Sequence, residues 1–144
     1  MPGTIVVGID GSETGRLAAG WASDEARLRG DGLRLVSAWS IPATTFLAGE
    51  MGTTEDLAAE LAQGAREALA AARREVDPGL AVETVAVEGQ AASVLLEASE
   101  GADLLVVGSR GLGGFRGLLL GSVSQQCVAH ARCPVVIVRH PEGG

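Results

Sequence analysis

Five short apolar runs alternate with four stretches of helical periodicity along this chain, and that alternation sharply limits the folds open to it. The runs lie at 4–10, 33–39, 81–87, 103–107 and 134–139, and the helical patterns at 13–29, 54–76, 91–99 and from Ser122 onward. Ile5-Val6-Val7 and Leu104-Leu105-Val106-Val107 are apolar at every position, which suits strands buried on both faces of a parallel sheet. The expected class is α/β: an open five-stranded parallel sheet, joined by right-handed crossovers, with helices on both faces. Within it, 81–87 mixes Val82, Val85 and Val87 with Glu83 and Thr84, the pattern of a sheet edge. The first helix, capped at Ser12 or Thr14, carries Leu17, Trp21, Ala22, Glu25 and Leu28 at helical spacing. The second presents Leu57, Leu61, Ala65, Ala68, Leu69, Ala72 and Val76 as its inner stripe.

The fourth run leads into the most informative stretch, Gly108-Ser109-Arg110-Gly111, which continues to Gly121-Ser122 and the helix beginning around Val123. Glycines at the end of a strand, followed by a helix N-terminus, allow backbone N–H groups to approach an anion closely. The spacing Gly108-x2-Gly111-x9-Gly121-Ser122 is neither a G-x-G-x-x-G fingerprint nor a G-x-x-x-x-G-K-[ST] loop, and the latter is impossible because every one of the 11 basic residues is arginine. From spacing alone, the glycines could bind phosphate or merely permit turns. Arg110 and Arg116 are the loop's cations, and each is either a phosphate contact or a solvated surface group.

That spacing resembles the ATP-binding signature of the universal stress protein family. The resemblance extends to Val7-Gly8-Ile9-Asp10-Gly11-Ser12 near the start and to Cys133-Pro134-Val135-Val136-Ile137-Val138 near the end, so it covers nearly the whole chain as a single 1–144 domain. It implies a Rossmann-like sheet of the adenine nucleotide alpha hydrolase type with strand order 3-2-1-4-5, which periodicity cannot supply. It further implies that Gly108, Gly111, Gly121 and Ser122 wrap the phosphates, with Val123 at the helix start, and that Asp10 serves the nucleoside or a coordinated metal. Ala38 would offer backbone groups to the adenine edge, and Gly8 and Ile9 can line the base pocket or simply pack.

Composition closes other routes. A chain of 144 residues fits one domain that buries about 70% of its unfolded surface. No apolar run approaches the roughly 18 to 20 residues that cross a bilayer, and no signal-peptide pattern precedes the first strand, so a cytoplasmic location is expected. A net charge of −7 with scattered arginines disfavours a nucleic-acid partner. Cys127 and Cys133 form no C-x-x-C pair and read as reduced thiols, and His130 and His140 have no further ligands at zinc spacing.

The functional expectation is an ATP-binding sensor or regulator of stress survival with at most slow hydrolysis, in which a divalent ion such as Mg²⁺ can bridge phosphate oxygens. Two other readings stand beside it: an ATP-hydrolysing or ATP-transferring enzyme, and a dimeric scaffold that binds no nucleotide. The final strand, Val135, Val136, Ile137 and Val138, is apolar on both faces yet falls at a sheet edge in the implied order. Pairing with the same strand of a second copy would cover it, as the resemblance also implies. Shielding by the last helix and the tail is the alternative.

Overall fold

The computed structural model describes residues 2–42, 54–111 and 120–141. Its strands are β1 (Thr4–Gly8), β2 (Gly32–Trp39), β3 (Val82–Glu88), β4 (Leu104–Gly108) and β5 (Val135–Val138). Its helices are α1 (Glu13–Arg29), α2 (Thr54–Arg73), α3 (Ala91–Ala98) and α4 (Ser122–His130). The strands form one parallel sheet in the order β3-β2-β1-β4-β5. The class and the strand order are those expected, and β3 and β5 are the two edges.

β1 lies at the centre, with Val6 opposite Arg34 of β2 on one side and Leu105 of β4 on the other. Because side chains alternate along a strand, its residues feed two separate cores. Ile5 and Val7 pack with Leu35, Leu69, Ala72 and the α1 alanines under α1 and α2. Val6 packs with Val36, Leu95, Leu105, Val107 and Cys127 under α3 and α4.

The buried face of α1 is not the one its large residues mark. Ala18, Ala19, Ala22 and Ala26 are buried together with Thr14, Gly15 and Ser23, whereas Trp21 is 37% exposed and Leu28 is 83% exposed. The valine-rich sheet surface fills the space between layers, so the helix approaches closely through small side chains and keeps its bulky ones outside. At Gly108 this closeness reaches its limit: a Cβ there would lie 2.5 Å from Thr14 Oγ1 and 2.9 Å from the Thr14 carbonyl carbon. α2 ends at Arg73 rather than 76, and the chain tightens through bonds from Arg74, Glu75 and Val76 N–H to the carbonyls three residues back. Val76 nevertheless remains buried, as its place in the inner stripe requires.

The turn after α2 is held electrostatically. Asp77 accepts from Gly79 N–H at 2.8 Å and from Arg27 at 3.2 Å, and Ser23 Oγ accepts from Asp77 N–H at 2.9 Å. The Gly79 N–H first, and then the Arg27 guanidinium, hold the Asp77 carboxyl below the usual carboxylate range. A group whose folded value is depressed contributes stability above its unfolded value and loses it as pH falls through the folded one. Asp77→Asn keeps an oxygen for Gly79 but not the charge. It should lower the thermal midpoint at pH 7, with the gap to the unmodified chain closing as a pH series runs below 3.8. Gly108→Ala, which drives a methyl into the α1 backbone, should cost about 1–3 kcal/mol in urea unfolding.

Candidate functional site

In an open α/β sheet the crevice forms beyond the strand C-termini where strand order reverses, here between β1 and β4. A cleft of about 420 Å³ opens at that point. Gly8, Ile9, Asp10, Ala38, Gly108, Arg110, Gly111, Gly121, Ser122 and Val123 all line it. Ten positions spread from residue 8 to residue 123 thus meet in one place. Arg116 lies outside the described residues.

The cleft has a polar end and an apolar end. At the polar end, the N–H groups of Ser122, Val123 and Ser124 open α4 and have no partner within the helix. Gly121, the N-cap, has no side chain to satisfy them. Its own N–H donates to the Ser109 carbonyl at 2.7 Å, which joins the two ends of the glycine loop. Ser124 Oγ donates to the same carbonyl and to Gly121 O, both at 3.0 Å. Ser109 is buried, and its N–H bonds the Val138 carbonyl of β5 at 2.8 Å, so this serine ties the loop together behind the cleft.

Asp10 follows β1 and turns the chain into α1. Its Oδ1 accepts from Ser12 N–H at 2.9 Å and from Ser12 Oγ at 2.5 Å, and Ser12 Oγ accepts from Gly15 N–H at 3.2 Å as the cap of α1. Gly11, at φ 86°, makes that turn possible. Asp10 Oδ2 would lie 2.5 Å from a Cβ on Gly111, so the missing side chain at 111 makes room for a carboxylate. Among the described cleft residues Asp10 is the one carboxylate and Arg110 the one cation. The apolar end consists of Gly8, Val36, Ala38, Leu95 and Val107, with Ala91 at the start of α3.

The glycines divide by what their bareness serves. Sequence reading assigns Gly108 to backbone approach toward a phosphate, whereas its absent Cβ makes room for Thr14. A Cβ on Gly121 would meet Arg110 Cα at 3.4 Å, an ordinary contact, and its φ of −73° and ψ of 168° suit any N-cap residue. Ser12, Gly15, Val36, Ala91, Leu95, Val107 and Ser124 also line the cleft, although the sequence did not single them out for it. Val107, near the C-terminal end of β4, follows from the crevice rule, and Val36 lies mid-strand in β2, level with Gly8 at the end of β1. Ala91, Leu95 and Ser124 carry no local signal. Of the residues weighed for other chemistry, Cys127 is buried, which pushes its thiol up, and His140 pairs with Glu13 at 3.1 Å.

Together these features define a Rossmann-like α/β protein with an anion-compatible cleft at the reversal of its sheet. The chain belongs to the universal stress protein family, whose sequence model matches residues 1–139. It is 41% identical over 135 residues to universal stress protein Rv2005c of Mycobacterium tuberculosis, covering 94% of this chain and 45% of that one, so it spans about half the length of that relative. The structure of hypothetical protein MJ0577 has the same fold at 23% identity, with a TM-score of 0.81 over 97% of both chains. A universal stress protein crystallised in complex with cAMP is 30% identical, with a TM-score of 0.64 over 94% of this chain and 95% of that one.

Removing the Ser124 hydroxyl would leave the Ser109 and Gly121 carbonyls with one donor each, the Gly121 and Gln125 N–H groups. Ser124→Ala should therefore lower stability by only about 1 kcal/mol in urea unfolding.

Proposed function

We propose that this chain is an adenine-nucleotide-binding universal stress protein, with ATP as its ligand, that acts as a cytoplasmic regulator of stress survival through recognition and at most slow hydrolysis. The observation that carries this reading is the meeting of an uncapped helix start, bare backbone and an apolar pocket in one cleft. The Ser122, Val123 and Ser124 amides suit a phosphate at a helix N-terminus. The Val36, Ala38 and Leu95 surface suits a planar base, and the cleft volume falls within the range of small-ligand sites. The cAMP bound by a relative is an adenine nucleotide with the same two chemical ends.

Asp10 fits a magnesium ion that arrives with the phosphates. Mg²⁺ commonly takes one or two protein carboxylates and completes its shell with phosphate oxygens and water, and Asp10 Oδ2 faces the loop at Gly111. Such an ion would screen phosphate charge. Phosphoryl transfer at enzymatic rates also calls for strong cationic stabilisation, and Arg110 is the only cation among the described cleft residues.

The edge strand β5 supports a homodimer in the same proposal. Val135, Val136, Ile137 and Val138 are all only half-buried, and an unpaired apolar edge recruits another strand. Sedimentation equilibrium should return twice the chain mass, and a monomer at micromolar concentration would remove this part of the reading.

For the nucleotide itself the decisive variant is Gly121→Asp. An aspartate at this N-cap can accept from the α4 amides, occupying the donors a phosphate would use and adding a like charge. Calorimetric titration should show nucleotide affinity falling by about a hundredfold or more while thermal stability holds or rises. Undiminished affinity would mean that the phosphates bind elsewhere.

A further inference from the structure

Behind the cleft, one hydroxyl bonds a carbonyl of the glycine loop. Thr14, 7% exposed in the first turn of α1, donates from Oγ1 to the Arg110 carbonyl at 2.6 Å. The 110–111 peptide is trans, so its C=O and N–H point in opposite directions. With the carbonyl held against α1, the Gly111 N–H is turned away from α1. Gly111 lines the cleft, and its nitrogen lies 3.6 Å from where a Cβ on Gly121, the N-cap of α4, would stand. The Gly111 donor therefore sits beside the uncapped start of α4, on the wall where its amides open.

We propose that Thr14 is a positioning residue for anion recognition: it holds the 110–111 peptide with the N–H toward the ligand and the carbonyl away from it. The inference rests on the adenine-nucleotide reading and adds a residue that does not itself line the cleft. Two features give the hydroxyl this control. The absence of a side chain at Gly108 lets Thr14 come close enough to reach the loop. The absence of one at Gly111 makes the opposite peptide orientation accessible, because glycine accepts either sign of φ. Left unheld, the peptide can turn over and present a carbonyl dipole where the phosphate needs a donor. A converging set of main-chain N–H groups then becomes a mixed set.

Thr14→Val keeps the shape and the β-branch of the side chain and removes only the hydroxyl. Calorimetric titration of the unmodified chain, Thr14→Val and Thr14→Ser with AMP and with adenosine separates positioning from general destabilisation. AMP affinity should fall about tenfold or more in Thr14→Val, as expected for a lost bond to a charged group. Adenosine affinity should hold, and Thr14→Ser should restore AMP binding. In ¹⁵N-labelled protein the Gly111 amide resonance should move with AMP in the unmodified chain and stay still in Thr14→Val. Thr14→Ala serves the same comparison if circular dichroism shows the valine variant unfolded. Unchanged AMP affinity, an equal loss for adenosine and AMP, or a Gly111 resonance that still responds would each overturn the assignment. An unmodified chain that binds neither ligand would sink the nucleotide reading itself, and this inference with it.

Discussion

The close approach of α1 to β4 is the constraint on which the rest of the site depends. It requires a bare backbone at Gly108 and small residues along α1, and both are present. Once the layers are that near, Thr14 reaches the Arg110 carbonyl and Asp10 is carried against Gly111. The two halves of the cleft, nearly a hundred residues apart in sequence, are thereby joined. A larger side chain at any of these contacts would push α1 outward and part them, because packed interiors resist even a methylene of extra volume.

Much of this was legible in the sequence, for physical reasons. The elements followed from apolar periodicity, and burial of β1 and β4 on both faces followed from their unbroken runs. The strand order came from family resemblance, since periodicity carries no information about which strands are neighbours. The glycine spacing is a local signal, whereas the family resemblance is what tied Asp10, Ala38, Ser122 and Val123 to the same site. What the sequence hid was non-local or small. Helical spacing marked Leu17, Trp21, Ala22, Glu25 and Leu28 on α1 but not which of them face inward: Trp21 and Leu28 are exposed, and alanines, which contribute little to a hydrophobicity pattern, make the contact. Thr14 read only as a helix cap, whereas Ser12 caps and Thr14 reaches across to the loop. Gly108 lines the cleft, but its missing Cβ also makes room for Thr14, a packing role the sequence did not reveal.

The charge distribution would make the cleft unusual as the anion site proposed for it. The chain carries −7 overall and has no lysine, and one arginine stands at the cleft among the described residues. In the proposed reading, fixed peptide dipoles acting at short range supply much of the attraction. Dipoles held by secondary structure need little ordering when a ligand arrives, so recognition depends on geometry more than on total charge.

The bare start of α4 also has a thermodynamic consequence for the chain as a whole. A helix capped by glycine is weaker than one with a side-chain cap, by about a few tenths of a kcal/mol, and here the same helix leads through a short turn into β5 at the sheet edge. An anion seated at Gly121 would act as the missing cap. Any molecule that binds only the folded form raises its stability with the logarithm of its concentration. The domain's resistance to proteases would then track the concentration of that anion, so that occupancy is converted into persistence of the fold.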